Sequence, residues 1–414
     1  MSRFLFVVPP LAGHINPAAA VAAQLTVRGH RVAWAGSVAV LHRHIGEHRE
    51  VYACEGPDNL DGRPGGLRGI AALKFLWQEF FVPLAEAMAP GVEAAVARFE
   101  PDVIVTDQQC VAGSLVAERL GVPFATSATT SAELSGTLVG LPKVGDWLGE
   151  RLDALRVRFG NPAATHDPRW SPHLTLVFTT RELAGRHSDR PGLCFVGPAL
   201  AARPDLPDFP WEWVARDRTR RLVLVTFGTV NTTVTGPFLT EALAALLERS
   251  DTVRGIVADP GGALGHHPAY HPDVLVRPVV PQLALLERTD AVVCHGGHNT
   301  VCEALWHGVP LVVAPIRDDQ PVVADQVAGA GAGLRIKFGR SDRGHIGAAV
   351  DAVLDRPHHT IAARHVSASF RAAGGAPAAA ERLEQLATDR RPLHEPDDSQ
   401  KGPSPWHGPT AQQP

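Results

Sequence analysis

The amino-acid sequence predicts an α/β protein built from two Rossmann-like domains, each with a doubly wound parallel sheet. At 414 residues the chain exceeds the usual size of one domain, so two compact units of roughly 200 residues are expected. Hydrophobic residues make up 45% of the chain, which is enough for two cores. Short apolar runs alternate with helical patterns in both halves, and this alternation indicates parallel sheets covered by helices on both faces.

The predicted strands are the short apolar runs. In the first half they are residues 3–8, 31–35, 50–54, 103–106, 123–127 and 174–178, and in the second half 222–227, 253–258, 274–277, 291–294, 310–314 and 333–337. A proline-rich segment at 197–210 separates the halves. We therefore predict a first domain over 1–215, with a linker at about 197–215, a second domain over 216–388, and a disordered tail over 389–414.

Composition narrows the class of partner and the compartment. The formal net charge is −4, which argues against a nucleic-acid partner. The five cysteines are scattered without a Cys-x-x-Cys pair, so buried reduced thiols are expected. Prolines interrupt the apolar run at the amino end, and no stretch looks long enough to span a bilayer. We expect a cytoplasmic protein without membrane insertion.

The turn after the strand at 291–294 has the features of a diphosphate site. It reads His295-Gly296-Gly297-His298-Asn299-Thr300, and a helical stretch follows. The first amides of a helix lack partners within the helix, and glycines let a ligand approach the backbone, so such a turn suits a phosphate group. The alternative is a plain glycine turn capped by Asn299.

Polar groups follow at spacings that suit the rest of a sugar nucleotide. Glu303 lies four residues after Asn299 and projects from the same helix face, one turn deeper, where a carboxylate suits the two hydroxyls of a ribose. The next buried strand is followed by Asp318, Asp319 and Gln320, which are short polar groups suited to sugar hydroxyls. The alternative is a polar loop that is simply solvated.

Near the amino end, His14 is a candidate general base. It lies at a strand-to-helix junction, the usual place for function in a doubly wound sheet, and an imidazole titrates near neutrality. Asp107 follows the strand at 103–106, and the ends of two parallel strands can lie side by side. Its carboxylate can then accept the Nδ1 proton of His14 and leave Nε2 as the base. The alternatives are a loop histidine bonded to backbone and a helix-capping aspartate.

The order and spacing of these groups resemble the donor-binding signature of the family 1 glycosyltransferases, which use nucleotide sugars. The signature runs from an aromatic-x-Pro-Gln through His-x-Gly-x-Asn-Ser and a Glu to an acid followed by Gln. The matching residues are Pro281, Gln282, His295, Gly297, Asn299, Thr300, Glu303, Asp319 and Gln320. Val279 stands where the family usually has a tryptophan that stacks on uracil, so uridine and thymidine diphosphate sugars are both candidate donors.

The resemblance implies a role for each matched residue. His295 and the turn amides would hold the diphosphate, Glu303 the ribose, and Asp319 with Gln320 the sugar. Thr229 occupies the serine position of the family's Phe-Gly-Ser element, which approaches the diphosphate. A turn without a ligand is the alternative for Thr229.

The resemblance also implies an architecture and a catalytic pair. The family has the GT-B fold, in which two Rossmann-like domains face each other across a cleft. In that fold the last helix, here about residues 376–387, crosses back onto the first domain. His14 and Asp107 resemble the family's catalytic His and Asp, which are found in the same two loops.

Aromatic residues of the first half are candidates for an acceptor pocket. Phe75, Trp77, Phe80 and Phe81, within residues 67–82, exceed what one helix face needs. Trp147 lies in a second segment, residues 131–158, that could close the site. An apolar wall would suit a hydrophobic hydroxylated acceptor, such as a polyketide or another secondary metabolite. The alternative is that the same rings fill the core.

These expectations describe an inverting glycosyltransferase that moves a sugar from a UDP- or dTDP-sugar to a hydroxyl of a hydrophobic small molecule. No Asp-x-Asp metal motif is evident, so we expect no metal and no cofactor apart from the nucleotide sugar as co-substrate. We expect a monomer or a homodimer. The alternatives are a lipid-linked sugar transferase, a sugar-nucleotide epimerase, and a non-catalytic helper protein with the same fold.

Overall fold

The computed structural model describes residues 1–389 except 61–62, 137–140, 186, 188–189, 202, 204–205, 207, 230 and 266–270. The tail predicted over 389–414 lies outside the described residues from 390 onward. Part of the proline-rich linker is also outside them.

The first half of the chain forms one parallel sheet with helices on both faces. Its strands are β1 (Arg3–Val7), β2 (Arg31–Gly36), β3 (Val51–Ala53), β4 (Val103–Asp107), β5 (Phe124–Ala128), β6 (Leu174–Val177) and β7 (Leu193–Phe195). Its helices are α1 (Ala12–Val27), α2 (Val38–Ile45), α3 (Gly69–Phe75), α4 (Val82–Phe99), α5 (Ala112–Leu120), α6 (Pro142–Phe159) and α7 (Arg181–Ala184), with a π-helical turn at Leu76–Phe81 and a 3-10 turn at Ala132–Ser135. The strand order is β3-β2-β1-β4-β5-β6-β7, so the succession reverses between β1 and β4.

The second half repeats this plan. After α8 (Trp211–Ala215), its strands are β8 (Arg221–Thr226), β9 (Val253–Ala258), β10 (Val274–Arg277), β11 (Ala291–Cys294), β12 (Leu311–Val313) and β13 (Gly333–Arg335). Its helices are α9 (Thr232–Leu247), α10 (Gln282–Leu286), α11 (His298–Trp306), α12 (Gln320–Gly329), α13 (Arg343–Asp355), α14 (Pro357–Ala373) and α15 (Gly375–Asp389). The order is β10-β9-β8-β11-β12-β13, again parallel, and the reversal falls between β8 and β11.

Each sheet carries a core on both of its faces, as expected for doubly wound domains. In the first domain one core joins the sheet to α4, α5 and α6, and the other joins it to α1. In the second domain one core lies under α9 and α13, and the other under α11, α12 and α14. All strands predicted from the sequence are found among the described residues, with ends within two residues of those predicted. The edge strand β7 was not among the predicted strands.

The last helix returns to the first domain. Ala379, Ala380 and Leu383 of α15 are buried in the same core as Phe4 and Phe6 of β1. At the surface, Arg28, at the end of α1, is ion-paired with glutamates of α15. The carboxyl-terminal helix thus links the two domains.

The prediction that no stretch is long enough to span a bilayer is wrong by the measure of length and composition. Among the described residues, the helical run Gly69–Phe99 is long and apolar enough to cross a bilayer by length and composition, with a mean hydropathy of 1.3. It reaches that length because α3, the π-helical turn and α4 follow one another without a break. Half of its apolar window is buried, and Trp77, Phe81 and Val92 pack in the core of the first domain.

Candidate active site

His14 and Asp107 meet at the point where the strand order of the first sheet reverses. His14 lies in the first turn of α1, directly after β1, and Asp107 is the last residue of β4, the strand beside β1. Ligand sites of parallel sheets form at such a reversal. The Nδ1 of His14 is 2.9 Å from Oδ2 of Asp107, whose side chain is fully buried, whereas the His14 side chain is 16% exposed. The Nε2 of His14 is therefore the ring nitrogen that can accept a proton.

The pKa of His14 is raised above its usual value. Burial lowers it, but the adjacent carboxylate of Asp107 outweighs burial, and the more distant charges of Asp319 and Glu133 act in the same direction. A base with a raised pKa holds a proton more firmly once it has taken one.

Thr129 and Gln109 complete the surroundings of Asp107. The Thr129 hydroxyl donates to Oδ2 of Asp107 at 2.8 Å, and its oxygen is 2.9 Å from Nδ1 of His14. The backbone N–H of Gln109 donates to Oδ1 of Asp107 at 2.8 Å. Sequence reasoning missed Thr129; the signal available was its place one residue after β5, the strand beside β4.

The second sheet presents a glycine turn at its own reversal point. Gly296 has a φ of 85°, and Gly297 is the residue before α11. A Cβ on Gly297 would lie 2.5 Å from Nε2 of His295, and one on Gly228, in the turn after β8, would lie 3.2 Å from Cε1 of the same ring. The two glycine turns thus enclose the imidazole of His295 beside the start of α11.

His295 is a neutral group at physiological pH. Burial lowers its pKa to about 4, against weaker opposite effects of the Thr226 carbonyl and Asp318. Among the described residues the Thr226 carbonyl is its nearby backbone acceptor, although no hydrogen bond of ideal geometry forms at the buried Nδ1. A neutral imidazole next to a helix start can donate a hydrogen bond to an anion without adding a full charge.

Glu303, farther along α11, contacts Gln282 at the start of α10. The Gln282 amide donates to Oε2 of Glu303 at 2.6 Å, and the buried Glu303 carboxylate is also ion-paired with Arg203 of the linker. Arg203 was not foreseen from the sequence. Together with residues such as Asn16 and Leu200 it lines an interdomain crevice of about 270 Å³, including its open mouth.

The segment Asp318–Gln320 contacts the first domain. Asp318 is ion-paired with Arg63, and Oδ2 of Asp319 accepts a 2.8 Å hydrogen bond from the Thr130 hydroxyl. Burial and the neighbouring Asp318 raise the pKa of Asp319 to about 6. The side-chain oxygen of Gln320 accepts from the N–H of Ile316 at 2.8 Å, which fixes the loop between β12 and α12.

The His14–Asp107 pair and the glycine turn lie on opposite sides of one cleft. The Asn299 side chain, at the start of α11, donates to the carbonyl of Gly13 at 2.8 Å, and Gly13 is the residue before His14. Thr300 is partly buried in the same turn, Thr229 is exposed after β8, and Val279 is 61% exposed after β10. The predicted donor residues follow strands of the second sheet or lie in the first turns of its helices, except Glu303, which lies in the middle of α11.

The aromatic residues divide between core and surface. Trp77, Phe80 and Phe81 are at most 2% exposed and fill the core of the first domain, so the structure supports the alternative reading of these three rings and not an acceptor wall. Rings that pack this tightly have no surface left for a ligand. Phe75 and Trp147 are partly exposed, and the guanidinium of Arg151 lies 4.1 Å from the centre of the Trp147 ring.

No group of three or more His, Cys, Asp or Glu side chains that could hold a metal ion is found within the described part of the chain. His298, the first residue of α11, packs against the first domain. Its Nε2 is 3.3 Å from the carbonyl of Phe178.

Known proteins resemble this chain over most of its length. The family model described as erythromycin biosynthesis protein CIII-like, C-terminal domain, matches residues 256–386. The 4'-demethylrebeccamycin synthase of Lentzea aerocolonigenes is 31% identical, over 93% of this chain and 99% of that relative.

Solved structures resemble it in fold. The glycotransferase of kitacinnamycin superposes with a TM-score of 0.77 at 24% identity, covering 93% of this chain and 98% of the other. The glycosyltransferase VinC in complex with dTDP superposes with a TM-score of 0.74 at 19% identity, covering 94% and 100%.

Two Rossmann-like domains that face each other across a cleft, together with these structural neighbours, define the GT-B fold. The sequence match over nearly the whole length is more specific. The chain belongs to the family 1 glycosyltransferases of the bacterial natural-product type.

Proposed function

We propose that this enzyme moves a sugar from a UDP- or dTDP-sugar to a hydroxyl of a hydrophobic small molecule, with inversion at the anomeric carbon. The observation that carries the proposal is the 2.8 Å hydrogen bond between the Asn299 side chain and the Gly13 carbonyl. It holds the start of α11, a site suited to a diphosphate, beside the histidine suited to activate a hydroxyl.

The proposed mechanism is a single displacement. His14 takes the proton of the acceptor hydroxyl through Nε2, and Asp107 stabilises the imidazolium that forms. The N–H groups at the start of α11, together with His295, stabilise the departing diphosphate. These groups would stabilise the negative charge of the diphosphate in place of a divalent cation, so we propose that transfer needs no metal.

The remaining donor groups have separate roles in this proposal. Glu303, held by Gln282, binds the ribose hydroxyls, which requires that Arg203 yield at least one of its contacts with the carboxylate. Asp319 and Gln320 bind the sugar, and Thr229 approaches the diphosphate. The exposed Val279 offers apolar contact to the base without ring stacking, so it does not favour uracil over thymine.

The acceptor class follows from the relatives by analogy. The 31% identical relative is named as a synthase of a rebeccamycin derivative, and VinC was solved with dTDP. These names support a natural-product acceptor and admit a thymidine donor. Phe75 and Trp147, the two partly exposed rings, are the proposed apolar contacts for the acceptor.

A panel of UDP- and dTDP-sugars tests the proposal. A true donor should raise the unfolding temperature of the purified protein, since a ligand at 100 times its Kd stabilises the native state by about 2.7 kcal/mol. It should also be hydrolysed slowly without an acceptor. Glu303→Gln serves as the control variant, in which both effects should weaken. A protein that neither binds nor hydrolyses any sugar nucleotide would fit the helper alternative instead.

A further inference from the structure

Thr129 contacts both His14, the proposed general base, and Asp107, which orients it. The register of β4 and β5 pairs Asp107 with Ser127, and this brings the loop after β5 next to the carboxyl end of β4. The Thr129 side chain is nearly buried, and its hydroxyl contacts both Oδ2 of Asp107 and Nδ1 of His14.

The contacts around Asp107 fix its carboxylate at both oxygens. Oδ1 accepts from the Gln109 N–H, and Oδ2 accepts from Thr129 and from His14. The carboxylate cannot rotate about its Cβ–Cγ bond without breaking one of these hydrogen bonds. The Nδ1 atom of His14 in turn lies 2.9 Å from each of two oxygens, Oδ2 of Asp107 and Oγ1 of Thr129.

We propose that Thr129 is a positioning residue for transfer, whose hydroxyl holds the Asp107 carboxylate and the Nδ1–H of His14 so that Nε2 faces the acceptor hydroxyl. This inference rests on the proposed role of His14 as the base. Thr129 acts through His14 and Asp107 and does not itself touch the reacting atoms. Hydrogen bonds to an ionised carboxylate are among the stronger ones in proteins, so the hydroxyl is a substantial constraint.

The next residue supplies a contrast. The Thr130 hydroxyl donates across the cleft to Asp319, at the proposed sugar end of the donor site. The two consecutive threonines thus have different contacts. Thr129 contacts the His14–Asp107 pair, and Thr130 contacts the donor side of the cleft. The same substitution at each position should therefore affect different kinetic constants.

The test compares Thr-to-Val variants, which keep the side-chain shape and remove the hydroxyl. Thr129→Val should lower kcat by about 10- to 100-fold and leave the donor KM unchanged, as loss of a hydrogen bond to a charged group predicts. Thr130→Val should raise the donor KM. Thr129→Ser, which restores the hydroxyl, should recover most of kcat, and Thr129→Ala should reproduce the loss if the valine variant folds poorly.

Thr126→Val is the matched control for loss of a buried hydroxyl, because Thr126 lies on β5, three residues before Thr129. The Thr126 hydroxyl donates to the Arg169 carbonyl at 3.2 Å and accepts from the Ser171 N–H at 2.8 Å, with no contact to His14 among the described bonds. This variant should keep the wild-type kcat even where it lowers stability.

A second readout needs no substrate. The Nδ1 proton of His14, bonded to Asp107, should give a downfield NMR resonance that is retained in Thr129→Ser and broadened by exchange in Thr129→Val. Unchanged kcat and an unchanged resonance in Thr129→Val would overturn the role of Thr129. If His14→Ala lost activity at the same time, the proposed function would stand; if His14→Ala kept full activity, the base assignment itself would be wrong.

Discussion

The two domains share a sheet topology and differ in what stands at the point where the strand order reverses. Between β1 and β4 the first domain places side chains that titrate, His14 and Asp107. Between β8 and β11 the second domain places Gly228, Gly296 and Gly297, and the lack of a side chain at Gly228 and Gly297 leaves room for the imidazole of His295 beside the start of α11. One reversal point is suited to moving a proton and the other to holding an anion, although the strand order is the same.

The histidines at these two places show how surroundings decide chemistry. Both rings are desolvated, which lowers the pKa in each case. Only His14 contacts a carboxylate, and its pKa ends above the usual value, whereas that of His295 falls to about 4. The first ring can accept a proton and carry the charge, and the second stays neutral.

The largest effect expected from this comparison is that of His14→Ala. Loss of a general base should lower turnover with a hydroxyl acceptor by about 10² to 10⁴-fold and leave donor binding nearly unchanged, because the donor groups belong to the other domain. Turnover and thermal stabilisation by the donor, measured on the same preparation, check both parts.

His48→Ala provides the control for His14→Ala, since His48 is exposed and away from the cleft. It should retain wild-type turnover. Full turnover in His14→Ala would remove the proposed difference between the two reversal points.

A smaller effect is expected at the glycine turn. In Gly297→Ala the new Cβ would lie 2.5 Å from Nε2 of His295, so the ring must move away from the start of α11. We expect the donor KM to rise by about tenfold, corresponding to about 1.4 kcal/mol, with a smaller change in kcat. Steady-state kinetics with varied donor measure this.

Gly329→Ala is the matched control for Gly297→Ala, because a Cβ there meets nothing within 4 Å. This residue ends α12, and alanine favours helix, so the variant should keep its donor KM and gain slightly in stability. An unchanged donor KM in Gly297→Ala would show that the position of His295 does not matter for the donor.

Local sequence predicted the elements and the pair at the first reversal point, and it failed where contacts depend on the packing of distant segments. Apolar runs mark parallel strands, and the ends of such strands share one edge, so His14 and Asp107 could be placed together. The helical pattern of Trp77 and Phe81 is the same for a core face as for a pocket wall, and only packing decides between them.

The contacts across the cleft illustrate the same limit. Thr130 and Arg203 lie in loops, and no local sequence pattern predicts which residue a threonine or an arginine in a loop will contact. Their bonds to Asp319 and Glu303 exist because the two domains approach each other. Such an approach is set by the whole fold and leaves no mark in a short window of sequence.

A further predicted effect, on stability rather than on turnover, compares the carboxylates on the two sides of the cleft. Asp107 contacts an imidazole as well as a threonine hydroxyl, whereas Asp319 contacts a threonine hydroxyl across the cleft. Burial and the charge of Asp318 raise the pKa of Asp319 to about 6. A carboxyl whose pKa is higher in the folded than in the unfolded state favours folding when protonated, and this contribution is lost as the pH rises from about 4 to about 6. Asp319→Asn, which cannot ionise, should therefore have a free energy of unfolding about 1 to 2 kcal/mol higher than the wild type at pH 8. Urea unfolding measures this difference.

The two proteins should converge below about pH 4, where the wild-type carboxyl is protonated in both states. Asp318→Asn is the control of opposite sign. It relieves Asp319 of a neighbouring charge, but it also leaves the nearly buried Arg63 without its ion pair, and this larger loss should lower stability at pH 8. A wild type as stable as Asp319→Asn at pH 8 would mean that Asp319 is ionised there without cost. The carboxylates on the two sides of the cleft would then not differ in the way that their contacts imply.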